Sequence, residues 1–119
     1  MGLDWHRFVL AVDENGDMIA CGQVKPHRDG SQELASIAVE PGWRGKGAAR
    51  AIIEYLLEQH PGTLYLTCRS RLGSFYEKFG FRVIPEAELP SYFKLASRFI
   101  RLLNALKVTR ERILVMKRE

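Results

Sequence analysis

The chain has 119 residues, of which 46% are hydrophobic and 27% charged, a composition that excludes disorder and predicts a single domain spanning residues 1–119. No run approaches the ~18 apolar residues of a membrane span, and the opening MGLDWHRF carries neither a signal peptide nor the Ser or Thr of a myristoylation motif, since His6 stands there. Cys21 and Cys68 lack framework spacing and point to a reducing, cytoplasmic compartment, while the net charge of +4 is concentrated at one end, residues 94–119 contributing +6.

Taken in order, the pattern predicts a strand at 6–12, a turn at 13–17 whose Asn15-Gly16 pair accepts positive φ, and a returning strand at 18–25. A second turn at 26–31 leads to a third strand at 33–40, so the first half opens as an antiparallel meander. A helix from Gly47 stops at His60-Pro61-Gly62, and its Ala49, Ile52, Ile53 and Leu56 recur on one face. A fourth strand at 63–68 should run parallel to the strand before that helix.

A short helix at 72–79 should end at Gly80, a C-cap candidate, and a brief strand at 81–84 should be closed by Pro85. A longer amphipathic helix is expected at 91–107, with Ser91 as N-cap and Tyr92, Leu95, Ala96, Phe99, Leu102, Leu103 and Leu106 as its apolar face. Residues 113–116 read as a last strand. The fold class is therefore α+β, a mixed and mostly antiparallel sheet flanked by helices, antiparallel first and then crossing over through a helix.

The segment from Glu33 to Leu57 organises the rest. Its loop, Pro41-Gly42-Trp43-Arg44-Gly45-Lys46-Gly47, places unpaired backbone N–H groups and two cations at a helix start, which suits a diphosphate-bearing ligand. It is not a Walker loop, because Lys46 is followed by Gly47, nor a dinucleotide fingerprint, because Arg50 takes the third glycine position. What it matches is [R/Q]-x-x-G-x-[G/A], at Arg44, Gly47 and Ala49.

On these residues the chain resembles the GNAT superfamily of acyl-CoA-dependent N-acetyltransferases. SIAVEPGWRGKGAARAIIEYLL is similar to that family's central motif, and CRSRLGSFYEKFGFRVI to its second signature, with Tyr76, Gly80 and Phe81 in place. The resemblance implies that acetyl-CoA is the cosubstrate and a primary amine the acceptor, attacked directly. It implies that the backbone amides of Arg44, Gly45, Lys46, Gly47, Ala48 and Ala49 hold the pyrophosphate. It also implies that the main chain of Ile37, Ala38 and Val39 pairs with the pantetheine arm and that free N–H groups there polarise the acyl carbonyl.

Tyr76 falls where the family keeps a general acid for the departing thiolate. With a reference pKa near ~10 it holds a proton at pH 7. Glu33, eleven residues before Arg44, falls where some members place a general base, and its parity with Ala35, Ile37 and Val39 puts all four on one strand face. A carboxylate near ~4.3 is about six units too weak for an amine near ~10.4, about 8 kcal/mol uphill, so the role needs a raised pKa, a relaying water or a depressed amine. The alternative for Glu33 is a solvated carboxylate at a strand start.

The sequence departs from the family in two places. Arg69 stands where many members carry Asn, and the strand, helix and helix that usually begin the fold are absent before His6, so a short member with a truncated N-terminus is expected. Two rival functions stay open: a non-catalytic CoA-binding module that has lost its acceptor site, and a small basic nucleic-acid binder using the Lys94, Arg98 and Arg101 stripe. The expectation is nonetheless an enzyme with no nucleic-acid or membrane partner. His6, His27 and His60 have no ligand spacing with the cysteines, so no metal is expected. Family resemblance favours a homodimer.

Overall fold

The structure is a computed structural model and describes residues 5–85, 88–105 and 112–119. A 3-10 turn at Trp5–Arg7 precedes strand β1 (Phe8–Val12), so the first strand starts later than its apolar pattern implies. Strands β2 (Met18–Pro26) and β3 (Gln32–Val39) follow, then helix α1 (Ala48–Gln59) and strand β4 (Leu64–Arg69). The second half holds a 3-10 turn at Ser70–Leu72, helix α2 (Gly73–Glu77), strand β5 (Arg82–Val83), helix α3 (Ser91–Ala105) and strand β6 (Ile113–Arg118). The mixed sheet has six strands in the order β1-β2-β3-β4-β6-β5. As expected, β4 runs parallel to β3, with Glu33 opposite Tyr65.

Two compact units divide the chain. The first takes in the chain up to Lys25 together with Leu34–Gly62. Here β1 and β2 pair antiparallel from Phe8 opposite Gln23, around a turn in which Gly16 takes a φ of 83° and the Asp13 carboxylate accepts the Asn15 and Asp17 N–H groups. Helix α1 turns Ile52, Ile53 and Leu56 inward, fully covered. Gly22 on β2 is what lets it approach: a Cβ there would stand 2.5 Å from Ile37 Cδ1 and 2.7 Å from Ile52 Cγ2.

The second unit takes in Pro26–Glu33 and the chain from Thr63 onward. Strand β6 pairs antiparallel with β4 from Leu64 opposite Arg118 to Arg69 opposite Ile113, and with β5 at Arg82 and Val83. One core cluster joins Tyr65, Ile84, Leu89, Phe93 and Val115, with the Tyr65 and Phe93 rings stacked 5.1 Å apart. Helix α3 departs from its sequence pattern in how it packs. Among its described side chains, Phe93, outside the expected apolar face, is fully buried, whereas Tyr92, Leu95, Phe99 and Leu102 on that face are exposed. Residues 106 and 107, included in the expected helix, lie outside the described residues. Burial follows what faces the helix, and the apolar spacing of one segment cannot report that.

Candidate active site

In the first unit, the site begins where β3 ends. A 3-10 turn at Pro41–Trp43 is built on the Trp43 N–H donating to the Glu40 carbonyl at 2.8 Å. Two glycines then carry the chain through left-handed backbone, Gly45 at φ 77° and Gly47 at φ 85°. A side chain at either would be strained, although a Cβ would meet nothing within 4 Å. Gly47 is the N-cap of α1 and supplies no side-chain bond, so the first-turn amides at Ala48 and Ala49 keep the unsatisfied donors of any helix start. Its carbonyl already accepts the Ala51 N–H at 3.0 Å, which starts the helix ladder.

The loop's cations are not equivalent. Lys46 Nζ sits over the Trp43 ring, 5.3 Å from its centroid, and the exposed Arg44 follows the 3-10 turn as its C-cap. Arg50 is engaged by Glu54 at 2.7 Å, four residues on. The positive end of α1, the open space at its two glycines and the cations beside them in sequence have the chemistry that suits an anionic group.

Ile37, Ala38 and Val39 stand at the end of β3, with Ala38 exposed. Immediately before them Ser36 takes a φ of 59°, the one non-glycine residue with positive φ among the described residues. Two neighbours on β2 hold it: the buried Gln23 amide donates to Ser36 Oγ at 2.9 Å, and Cys21 Sγ reaches the Ser36 carbonyl at 3.5 Å. This corrects the parity argument. The two-residue period of a strand does not carry through a left-handed residue, so Glu33 and Ile37 cannot be assigned one face by counting.

In the second unit, Glu33 is not a solvated carboxylate. Its Oε1 lies 2.8 Å from His27 Nε2, and the two side chains are 14% and 8% exposed. The His27 ring stacks on Tyr92 at 3.7 Å and makes a T-shaped contact with Phe93 at 5.7 Å, so two adjacent rings of α3 hold the imidazole. Sequence reasoning missed His27, weighing it only as a metal ligand. The signal was the turn at 26–31, which returns residue 27 toward residue 33.

Tyr76 lies on α2 and is buried. Phe75 and Phe81 meet its ring edge-on, at 5.2 and 6.1 Å. The short helix is closed as expected, with the Gly80 N–H donating to the Glu77 carbonyl, the Phe81 N–H to the Tyr76 carbonyl, and Gly80 at φ 91°. Burial pushes the Tyr76 hydroxyl above its ordinary value, and the neighbouring Cys68 adds to the rise. Burial also raises the Cys68 thiol, whose Sγ lies 3.8 Å from Met116 Sδ. Arg69 is exposed at the end of β4 and caps no group with its side chain. Among the described residues no group of three or more His, Cys, Asp or Glu could hold a metal.

Residues 4–83 match the family model of the acetyltransferase (GNAT) domain. Among solved structures, the chain is similar to N-acetylglutamate synthase from Neisseria gonorrhoeae complexed with coenzyme A and N-acetyl-glutamate, with a TM-score of 0.72 and 18% identity over 94% of this chain and 25% of that one. It is similar to a GNAT-family acetyltransferase from Staphylococcus aureus, with a TM-score of 0.65 and 19% identity over 93% of this chain and 65% of that one. An acyl-CoA N-acyltransferase from Pseudomonas aeruginosa gives a TM-score of 0.67 and 17% identity, over 94% and 67%. At these identities the likeness is one of fold, and the chain spans between a quarter and about two thirds of these proteins.

Proposed function

The chain belongs to the GNAT acetyltransferases, and from that premise we propose that it moves an acetyl group from acetyl-CoA to a primary amine by direct attack. The observation that carries the reading is the start of α1, where left-handed Gly45 and Gly47 open a helix N-terminus that directly follows Arg44 and Lys46. Those residues fit a diphosphate, because the amides of residues 45–49 and the helix dipole supply donors and positive potential without a blocking side chain, whereas the Arg44 N–H already donates to the Pro41 carbonyl at 3.4 Å. Acetyl-CoA, when bound, supplies the acyl group as a thioester. Ile37, Ala38 and Val39 offer main-chain groups to its pantetheine amides, beyond the point where Ser36 interrupts the regular strand.

Tyr76 lends its proton to the departing thiolate. At reference values the transfer from a phenol near ~10 to a thiolate of a thiol near ~8.5 is about 2 kcal/mol uphill, and burial of Tyr76 adds to that. The raised value keeps the hydroxyl protonated at neutral pH, so the step gains from position rather than from acid strength. Glu33, oriented by His27, takes the role of proton acceptor for the ammonium, with the pair rather than a lone carboxylate as the working unit. Proximity of amine and thioester supplies much of the rate.

The experiment is thiol release from acetyl-CoA across a panel of peptide, polyamine, amino-sugar and small-metabolite amines, with CoA binding measured by calorimetry. Release with at least one amine is the expected result. Tight CoA binding without release for any amine would assign the chain to a non-catalytic CoA-binding module instead. Absence of CoA binding would remove the cradle reading altogether.

A further inference from the structure

The proposed reaction assigns no role to the exposed side chains of α3. The helix buries Phe93 and leaves a second apolar stripe bare: Leu95 is 72% exposed, Phe99 62% and Leu102 54%. With Tyr92 and Arg98 these residues line an open groove along the helix. Each basic residue of α3 directly precedes one of them, Lys94 before Leu95, Arg98 before Phe99 and Arg101 before Leu102. One residue is about 100° of helix rotation, so a basic stripe runs beside the apolar stripe, turned about 100° from it. All three basic side chains are exposed, and Ser91–Ala105 contains no Asp or Glu.

Charge chooses among the occupants this face could take. A second copy docked on the same face would bring one stripe of Lys94, Arg98 and Arg101 near another with no acidic residue on either helix, a like-charge juxtaposition that opposes pairing. An acidic polypeptide satisfies the basic stripe and leaves the exposed apolar stripe unexplained. An anionic lipid surface meets both, because its acyl boundary and its phosphate layer lie parallel along the whole helix. We propose that α3 docks the protein peripherally on anionic lipid, lying in the surface plane with Leu95, Phe99 and Leu102 at the acyl boundary and Lys94, Arg98 and Arg101 at the phosphates. This is a surface contact, and among the described residues no helix is long and apolar enough to cross a membrane.

The test is flotation of the full chain with vesicles of phosphatidylcholine alone, and with vesicles of phosphatidylcholine and phosphatidylserine in a two-to-one ratio. Binding should be at least ~10-fold stronger to the anionic vesicles and should fall steeply toward ~1 M salt, where the Debye length is only about 3 Å. Two double variants, Leu95→Ser with Phe99→Ser and Lys94→Ser with Arg98→Ser, should each lose at least ~10-fold. Far-UV circular dichroism should show both folded, since all four side chains are exposed. No binding to the anionic vesicles overturns the proposal, as does binding that neither double variant changes. A dimer in sedimentation that Leu95→Ser with Phe99→Ser abolishes, without vesicle binding, assigns the face to a second copy. Binding to polyglutamate that matches the vesicles and ignores that apolar pair reduces the face to charge alone.

Discussion

Gly45 and Gly47 carry the strictest conformational demand in the proposed cofactor cradle, because both sit at positive φ while open space surrounds them. Substitution there tests backbone conformation rather than a clash. Gly47→Val should strain the N-cap of α1 by about 1–2 kcal/mol and weaken CoA binding by roughly 10-fold or more in calorimetry. Tyr76 makes the second demand. Tyr76→Phe should lower turnover by ~10²-fold at pH 7 while leaving CoA affinity near wild type, and a much smaller loss removes the acid role. The pH dependence has a definite sign. Because the folded hydroxyl titrates above its unfolded value near ~10, its contribution to stability is intact below that pH and is lost as pH rises through the folded value. Alkaline unfolding should therefore be less steep in Tyr76→Phe than in wild type. The motif spacing made Gly47 and Tyr76 legible in the sequence. Ser36 and His27 were not, since a left-handed serine inside a strand and an imidazole returned by a turn depend on partners at Gln23, Cys21 and Glu33.

Among the elements, α3 begins under the control of a distant residue. The Asp29 carboxylate accepts the Tyr92 N–H at 2.8 Å and also binds the Ser31 N–H and hydroxyl, so the cap of this helix comes from the turn after β2. Sequence reasoning assigned that job to Ser91, because capping patterns are local and a cap from 63 residues away leaves no local trace. The Ser31 hydroxyl bond chiefly, then the Tyr92 and Ser31 N–H groups, with a smaller contribution from His27, hold Asp29 down to about 2. That contribution is present above its unfolded value near ~3.9 and is lost as pH falls toward 2. Asp29→Asn should lower the thermal midpoint at pH 7 and flatten its fall between pH 4 and pH 2, a comparison that melting curves make directly. Helix α1, by contrast, was legible almost to its ends, because its apolar period and its glycine and proline boundaries lie within one stretch of chain. Its packing rests on Gly22, and Gly22→Val should cost about 1–3 kcal/mol in denaturant unfolding by forcing Ile37 and Ile52 apart.

At the scale of the molecule, each unit is stabilised by its own core. In the second unit Phe93 is fully buried against Tyr65 and the cluster around Val115, and Phe93→Ala should cost about 3–5 kcal/mol in denaturant unfolding. An equal loss from Phe99→Ala would contradict the burial, since Phe99 stands largely in solvent. The order of elements, the parallel return of β4 after α1 and the membership in the GNAT family were determined by the sequence itself. Hydrophobic period, turn chemistry and glycine spacing are properties of neighbouring residues, and they survive without knowledge of what packs where. Tertiary structure alone decided that β6 lies between β4 and β5, that Asp29 caps α3 and that Glu33 is bonded to His27. It also decided that α3 buries Phe93 and leaves Leu95 and Phe99 in water. Each of these joins residues far apart in the chain, and a contact of that kind is set by what the rest of the fold brings opposite. The stretch from Glu33 to Leu57 shows both halves of the division: its glycine-opened helix could be read in order, and the break at Ser36 could not.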